Sequence, residues 1–108
     1  MSSNNAVTYT KKDVTQRVAE KLDLPVSQMK APVDAVFEAL REIMSQDHRA
    51  LRVEIRNFGV FEVKPTKAKP RARNPRTNEE VYVPPRRKSH FKPGRLLRGV
   101  LREPLDPE

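Results

Sequence analysis

The sequence predicts an α+β domain, and three observations point to it. Apolar residues recur three and four apart through the first half, strict polar–apolar alternation begins at Leu51, and the second half is rich in lysine and arginine. At 108 residues, 36% hydrophobic and only 6% aromatic, the chain suits one domain with a thin core. It has no cysteine, so neither a disulfide framework nor a thiolate zinc site can compensate, and self-association is the expected remedy.

The opening "MSSNNAVTYT" is polar and carries no apolar secretion-type segment, and nowhere do about 18 apolar residues run together as a membrane span requires. A soluble, intracellular protein is expected, with residues 1–9 a disordered extension. From Thr10 the chain turns helical: Thr10 can cap, Asp13 follows three residues on, and Val14, Val18, Ala19 and Leu22 share a face. This helix is expected to end near Asp23. "LPVSQ" breaks the pattern, after which Met29, Val33, Val36, Phe37, Leu40, Ile43 and Met44 define a second amphipathic helix packed on the first. With Ser27 as its N-cap, Pro32 lies too deep for the first turn and implies a bend or a later start.

"LRVEIR" alternates Leu51, Val53 and Ile55 with Arg52, Glu54 and Arg56, the period of a half-buried strand. "NFG" reads as a turn. "VFEVK" resumes with Phe61 and Val63 on one face and Glu62 and Lys64 on the other, giving a hairpin whose apolar face covers the helices. Between Lys64 and Glu80 the chain then offers three prolines, six cationic side chains and no large apolar group, so these 17 residues read as a projecting ribbon or loop. "VYV" (Val81–Val83) returns as a strand. "FKPG" introduces a short helix, "RLLRGVLR", with Leu97, Val100 and Leu101 on one side and Arg95, Arg98 and Arg102 around the other. Pro104 stops it, leaving residues 104–108 as a flexible tail.

Charge is unevenly spread. Residues 64–102 hold 13 Lys or Arg against Glu79 and Glu80, a net of +11, while the remainder of the chain carries −3. A near-neutral body joined to a strongly cationic segment suits a polyanion, because phosphate neutralisation and counterion release supply most of such affinity. A solvated basic tail would lack the apolar stretches this segment contains, such as "EVYVPP" and "HFKPGRLL".

Taken in order, "VAEKLDL" (Val18–Leu24), "VDAVFEAL" (Val33–Leu40), "FGVFEVK" (Phe58–Lys64), "RNPRTNEE" (Arg73–Glu80) and "FKPG" (Phe91–Gly94) resemble the HU and integration host factor family of bacterial nucleoid proteins. The resemblance spans about residues 10–102. Four departures stand out. The turn around "SQDHRA" is about three residues longer than in typical members. Asn57 and Asn78 replace family glycines, which asparagine can do because it tolerates positive φ. The outgoing arm strand is one residue longer with Pro65 and Pro70 inside it, implying a bulge. Pro25 and Pro32 are atypical of the second helix.

The resemblance implies a domain at residues 10–103: two N-terminal helices packed under a three-stranded antiparallel sheet, an extended β-ribbon arm at about 65–82, a short C-terminal helix, and an intertwined dimer. Phe37, Leu40, Phe58, Phe61 and Phe91 would form the dimer core. It also implies an architectural DNA-binding protein that bends duplex DNA through the minor groove and phosphates and compacts the bacterial nucleoid, as a homodimer or with a paralogue. Pro75, rigid and lacking an N–H, would wedge between base pairs, and the bent duplex would then wrap more cationic surface. Arg73 and Arg76 would flank it, with Asn74 donating to groove acceptors. Lys64, Lys67, Lys69 and Arg71 would line the outgoing arm, and Arg86, Arg87 and Lys88 the return. Arg87 falls where the family has a phosphate-contacting lysine. Lys92 and Arg95 belong to the saddle beneath.

Few of these groups can read the major-groove code, so little sequence specificity is expected. The alternatives are a subunit of a site-specific DNA-bending heterodimer, a basic RNA-binding protein, and a module gripping an acidic protein. RNA binding would call for aromatic stacking platforms, and Tyr82 alone is a poor one. An enzyme is the weakest reading: His48 and His90 stand 42 residues apart, and no glycine-rich phosphate loop is present. No metal, cofactor or small-molecule substrate is expected.

Overall fold

The computed structural model describes residues 6–106. The elements run α1 (Lys11–Leu22), α2 (Val26–Met44), β1 (Leu51–Ile55), β2 (Gly59–Pro65), β3 (Lys69–Arg73), β4 (Glu80–Val83), β5 (Arg87–Pro93) and α3 (Arg95–Leu101). Residues 1–5 of the expected 1–9 extension and the last two residues of the expected tail lie outside the described residues. The chain divides after Ser45 into a helical unit and a unit of sheet, ribbon and α3. Among the described residues no helix is long and apolar enough to cross a membrane.

In the helical unit, α1 starts where Thr10 and Asp13 interlock. The Thr10 N–H donates to Asp13 Oδ2 at 2.7 Å and the Thr10 hydroxyl donates to the same oxygen at 3.1 Å. These two bonds, the backbone one first, hold the Asp13 carboxyl below its ordinary value. α1 ends at Asp23, which adopts the left-handed conformation at φ 54°. Pro25, in place of the expected Ser27, caps α2: it is already extended, and a proline ahead of the first turn loses no hydrogen bond. Ser27 is therefore a first-turn residue. Pro32 lies within α2 and does not delay its start; its missing N–H deprives the Gln28 carbonyl of its usual helical donor. Thr15, Ala19, Met29 and Val33 are buried, and Lys11 Nζ meets Asp34 Oδ1 at 2.8 Å, tying α1 to α2.

The second unit is built on an antiparallel sheet in the order β1-β2-β5, with β2 central. Its third strand is β5, whereas the "VYV" strand belongs to a separate two-stranded ribbon, β3-β4. Leu51, Val53, Ile55, Phe61, Val63 and Phe91 share one face of the sheet. On it the Phe61 and Phe91 rings stand 4.8 Å apart, and Phe58 completes the cluster at 5.2 Å from Phe91. The hairpin turn closes on Asn57 at φ 64°. Gly59 is required by close approach, because a Cβ there would sit 2.5 Å from the Lys92 carbonyl oxygen and 2.7 Å from the Phe91 ring. Gly94 donates its N–H to the Phe58 carbonyl at 2.7 Å. The two motifs "FGVF" and "FKPG" are thus two sides of one contact. α3 starts from Gly94 and packs beside β5, leaving Leu96, Val100 and Leu101 exposed.

The ribbon prolongs the β2–β5 ladder. Pro65 opposes Arg87, and four residues further along each strand Lys69 opposes Val83, so the register is unchanged. Between them the ladder lapses, as Pro84 and Pro85 have no N–H to give. Three hydrogen bonds between Thr66 and Arg86 bridge that gap. Beyond Lys69 one extra residue on β3 shifts the register before Ala72 meets Val81, the bulge that Pro65 and Pro70 led one to expect.

Candidate nucleic-acid interface

Strand register decides which cations share a surface. Arg52, Glu54, Val60, Glu62, Lys64, Lys88, His90 and Lys92 lie on the sheet face opposite the phenylalanines. At its centre Glu62 is only 6% exposed, covered by the side chains it attracts. Lys64 Nζ approaches Glu62 Oε1 at 3.2 Å, and Arg52 Nε and Lys92 Nζ reach Oε2 at 3.8 and 3.9 Å. Lys64 above all, then Lys92 and Arg52, holds the Glu62 carboxyl below its ordinary value against the cost of its burial. The alternation of "VFEVK" put Glu62 on the polar face. Its burial depends on Arg52 and Lys92 from flanking strands, which alternation within one strand does not show.

The ribbon carries Lys69, Arg71 and Arg73 on β3, with Lys67 just before it. Its tip is closed by its own backbone: Asn74 N–H donates to Glu79 O at 2.8 Å and Asn78 N–H to Asn74 O at 2.7 Å, with Asn78 at φ 61°. The Asn74 side chain turns inward, and its Oδ1 accepts the Arg76 N–H at 2.9 Å. That bond fixes the turn and leaves Pro75 and Arg76 exposed. Arg73 folds back across the ribbon, donating from Nη1 to Asn78 O at 3.0 Å, with Glu80 Oε1 3.9 Å from Nη2. Salt bridges this exposed exchange readily for other anions.

Arg86 stands exposed at the root of the ribbon, and Arg95 is the exposed first residue of α3. Arg87 behaves differently from its neighbours. It faces away from Lys64, Lys88 and Lys92, and its Nη1 donates to the carbonyls of Gln46 at 2.6 Å and His48 at 3.2 Å. Lys64, Lys88 and Lys92 therefore form one cationic face around Glu62, while Lys67 through Arg76 form a continuous cationic ribbon. Of the expected core residues, Phe58, Phe61 and Phe91 meet in one cluster; Phe37 and Leu40 lie on α2 in the helical unit, Phe37 exposed and Leu40 half-buried. Among the described residues no three His, Cys, Asp or Glu side chains gather as metal ligands would.

A family model described as "Bacterial DNA-binding protein" matches residues 9–102. The chain is 35% identical over 93 residues to integration host factor subunit alpha of Actinobacillus succinogenes, covering 86% of this chain and 91% of that protein. It is 35% identical over 91 residues to DNA-binding protein HU-1 of Halalkalibacterium halodurans, covering 84% and 97%. The HU chain of an Anabaena HU–DNA cocrystal structure superposes with a TM-score of 0.75 at 32% identity, over 89% of this chain and all of that one.

Proposed function

The chain belongs to the family of bacterial DNA-binding proteins that includes HU and integration host factor, and from that premise we propose that it bends duplex DNA and compacts the nucleoid. Residues 10–103 form the DNA-binding domain, and the arm at about 65–82 lies in the minor groove. One observation carries the reading: the ribbon is a cationic extension with no apolar layer of its own, ending in an exposed proline held by a closed turn. Pro75 wedges between base pairs, at a cost of a few kcal/mol per unstacked step, offset as the bent duplex meets more cations. Arg71, Arg73, Asn74 and Arg76 follow the groove from β3 and the tip, with Lys67 and Lys69 behind them. Lys64, Arg86, Lys88, Lys92 and Arg95 contact phosphates nearer the body.

The working form is a dimer, with a second copy or a paralogue. Among the described residues no large side chain is completely buried, while Phe37 is 43% and Val100 62% exposed. A second copy supplies the missing cover, and Phe37, Leu40, Phe58, Phe61 and Phe91 build the shared core. Two arms then serve one duplex. Cytoplasmic, nucleoid-bound protein with low sequence specificity is the corresponding cellular state.

The test is affinity for nicked and intact duplex and for single-stranded RNA, titrated across salt, with DNA bending measured for wild type and Pro75→Ala. The reading expects preference for the nicked duplex, a steep negative log–log salt slope, and bending that depends on Pro75. Equal bending by the variant would make Pro75 a turn residue and reduce the arms to a cationic grip. Tighter binding to RNA would reject duplex DNA as the partner.

A further inference from the structure

We propose that Arg87 is a positioning residue that latches the root of the arm to the loop ahead of β1, leaving phosphate contact to the cations on the opposite face. The inference rests on the DNA-bending reading of the arm. Three observations carry it. Strand register places Arg87 on the sheet face away from Lys64, Lys88 and Lys92. Its Nη1 is engaged by the carbonyls of Gln46 and His48, at 2.6 and 3.2 Å. The Gln46 carbonyl also accepts the His48 N–H at 2.8 Å, so the loop presents its oxygens as a closed turn.

The latch sits where the fold needs one. Just beyond Arg87, Pro85 and Pro84 interrupt the ladder, and the Thr66–Arg86 bonds alone join the two strands there. A two-stranded ribbon held through so few bonds would pivot about its root. Arg87, paired with Pro65 at the last rung before the gap, ties that rung to a loop from an earlier part of the chain. Arginine suits the task because its planar fork directs its donors in fixed directions, whereas a lysine ammonium offers a compact, freely rotating charge. The loop it grips, around "SQDHRA", runs straight into β1, so the arginine joins the root of the arm to the start of the sheet.

The experiment measures amide hydrogen exchange in the DNA-free full-length protein for wild type, Arg87→Ala, Arg87→Lys and Lys88→Ala, with salt-dependent duplex binding for each. Both Arg87 variants are expected to speed exchange at Thr66 and Arg86 about tenfold, as loss of a charge-assisted hydrogen bond allows, with Phe61 unchanged. Arg87→Lys should keep the wild-type salt slope. Lys88→Ala should reduce that slope by about one unit per site without touching exchange. Exchange at Thr66 and Arg86 unchanged in both Arg87 variants, with only Arg87→Ala lowering the slope, would overturn the latch in favour of a phosphate contact. Equal acceleration at Phe61 would also overturn it, making Arg87 a general stabiliser of the sheet. A wild-type protein without steep salt dependence on duplex would sink the DNA reading alone, since exchange in free protein is measured independently.

Discussion

The β1–β2 and β3–β4 hairpins both turn on an asparagine in the left-handed region, Asn57 at φ 64° and Asn78 at φ 61°, yet they are held in shape by different means. Behind Asn57 lie three packed phenylalanines and the Gly59–Gly94 approach, which fix the strand register by shape. Behind Asn78 lie backbone hydrogen bonds, one arginine fold-back and a shifted ladder. The same local device thus closes a packed sheet and an exposed cationic ribbon. Body residues should register in stability, arm residues in DNA binding.

The sharpest contrast is between two small residues. Gly59→Ala drives a methyl into the Lys92 carbonyl and the Phe91 ring and should cost about 3 kcal/mol in urea unfolding. Ala72→Gly in the arm should change global stability by under about 0.5 kcal/mol, since the ribbon can open without the sheet. Pro75→Ala inverts the pattern: thermal unfolding should stay within about 0.5 kcal/mol of wild type, while bending measured by fluorescence transfer across a duplex should largely disappear. Asn57→Ala should cost about 1 kcal/mol, because alanine lacks the short polar side chain that lets asparagine tolerate the left-handed region, and Asn78→Ala nothing measurable in global unfolding. If Asn78→Ala destabilises the fold as much as Asn57→Ala, the arm is no separate unit.

Glu62→Gln should raise duplex affinity a few-fold at low salt by freeing Lys64, Arg52 and Lys92, an effect that fades as salt screens it. Acid exposes the smallest effect. Asp13 and Glu62 both have lowered pKa values, so each contributes stability that is complete above its unfolded value and lost as pH falls through its lowered folded one. Stability should therefore fall below about pH 4, and a variant with Asp13→Asn and Glu62→Gln should show a flatter decline over that range.

Much of this division was legible in the sequence. The alternation of Leu51, Val53 and Ile55 gives β1, the three-and-four spacing gives α1 and α2, and the long stretch without apolar residues gives the arm. β5 was less plain because Arg87 to Pro93 alternates cations with Ser89 and Phe91, carrying a single large apolar side chain. Its strand character comes from pairing with β2, a tertiary cause. Ser27 is a good capping residue by chemistry, but Pro25 already had the extended backbone from which a helix can start. The burial of Glu62 and the turn of Arg87 toward the loop depend on register between distant segments, which neither composition nor local spacing encodes.

The prolines of the arm have a consequence for molecules crowded side by side. An isolated two-stranded ribbon has two open edges, each a template on which a neighbour's strand could add and begin a self-propagating stack. Pro70 on β3, and Pro65, Pro84 and Pro85 at the root of the ribbon, carry no N–H for a neighbour's strand to pair with. The lysines and arginines between them repel a second copy. A ribbon so built can stand exposed without seeding aggregates of its own kind.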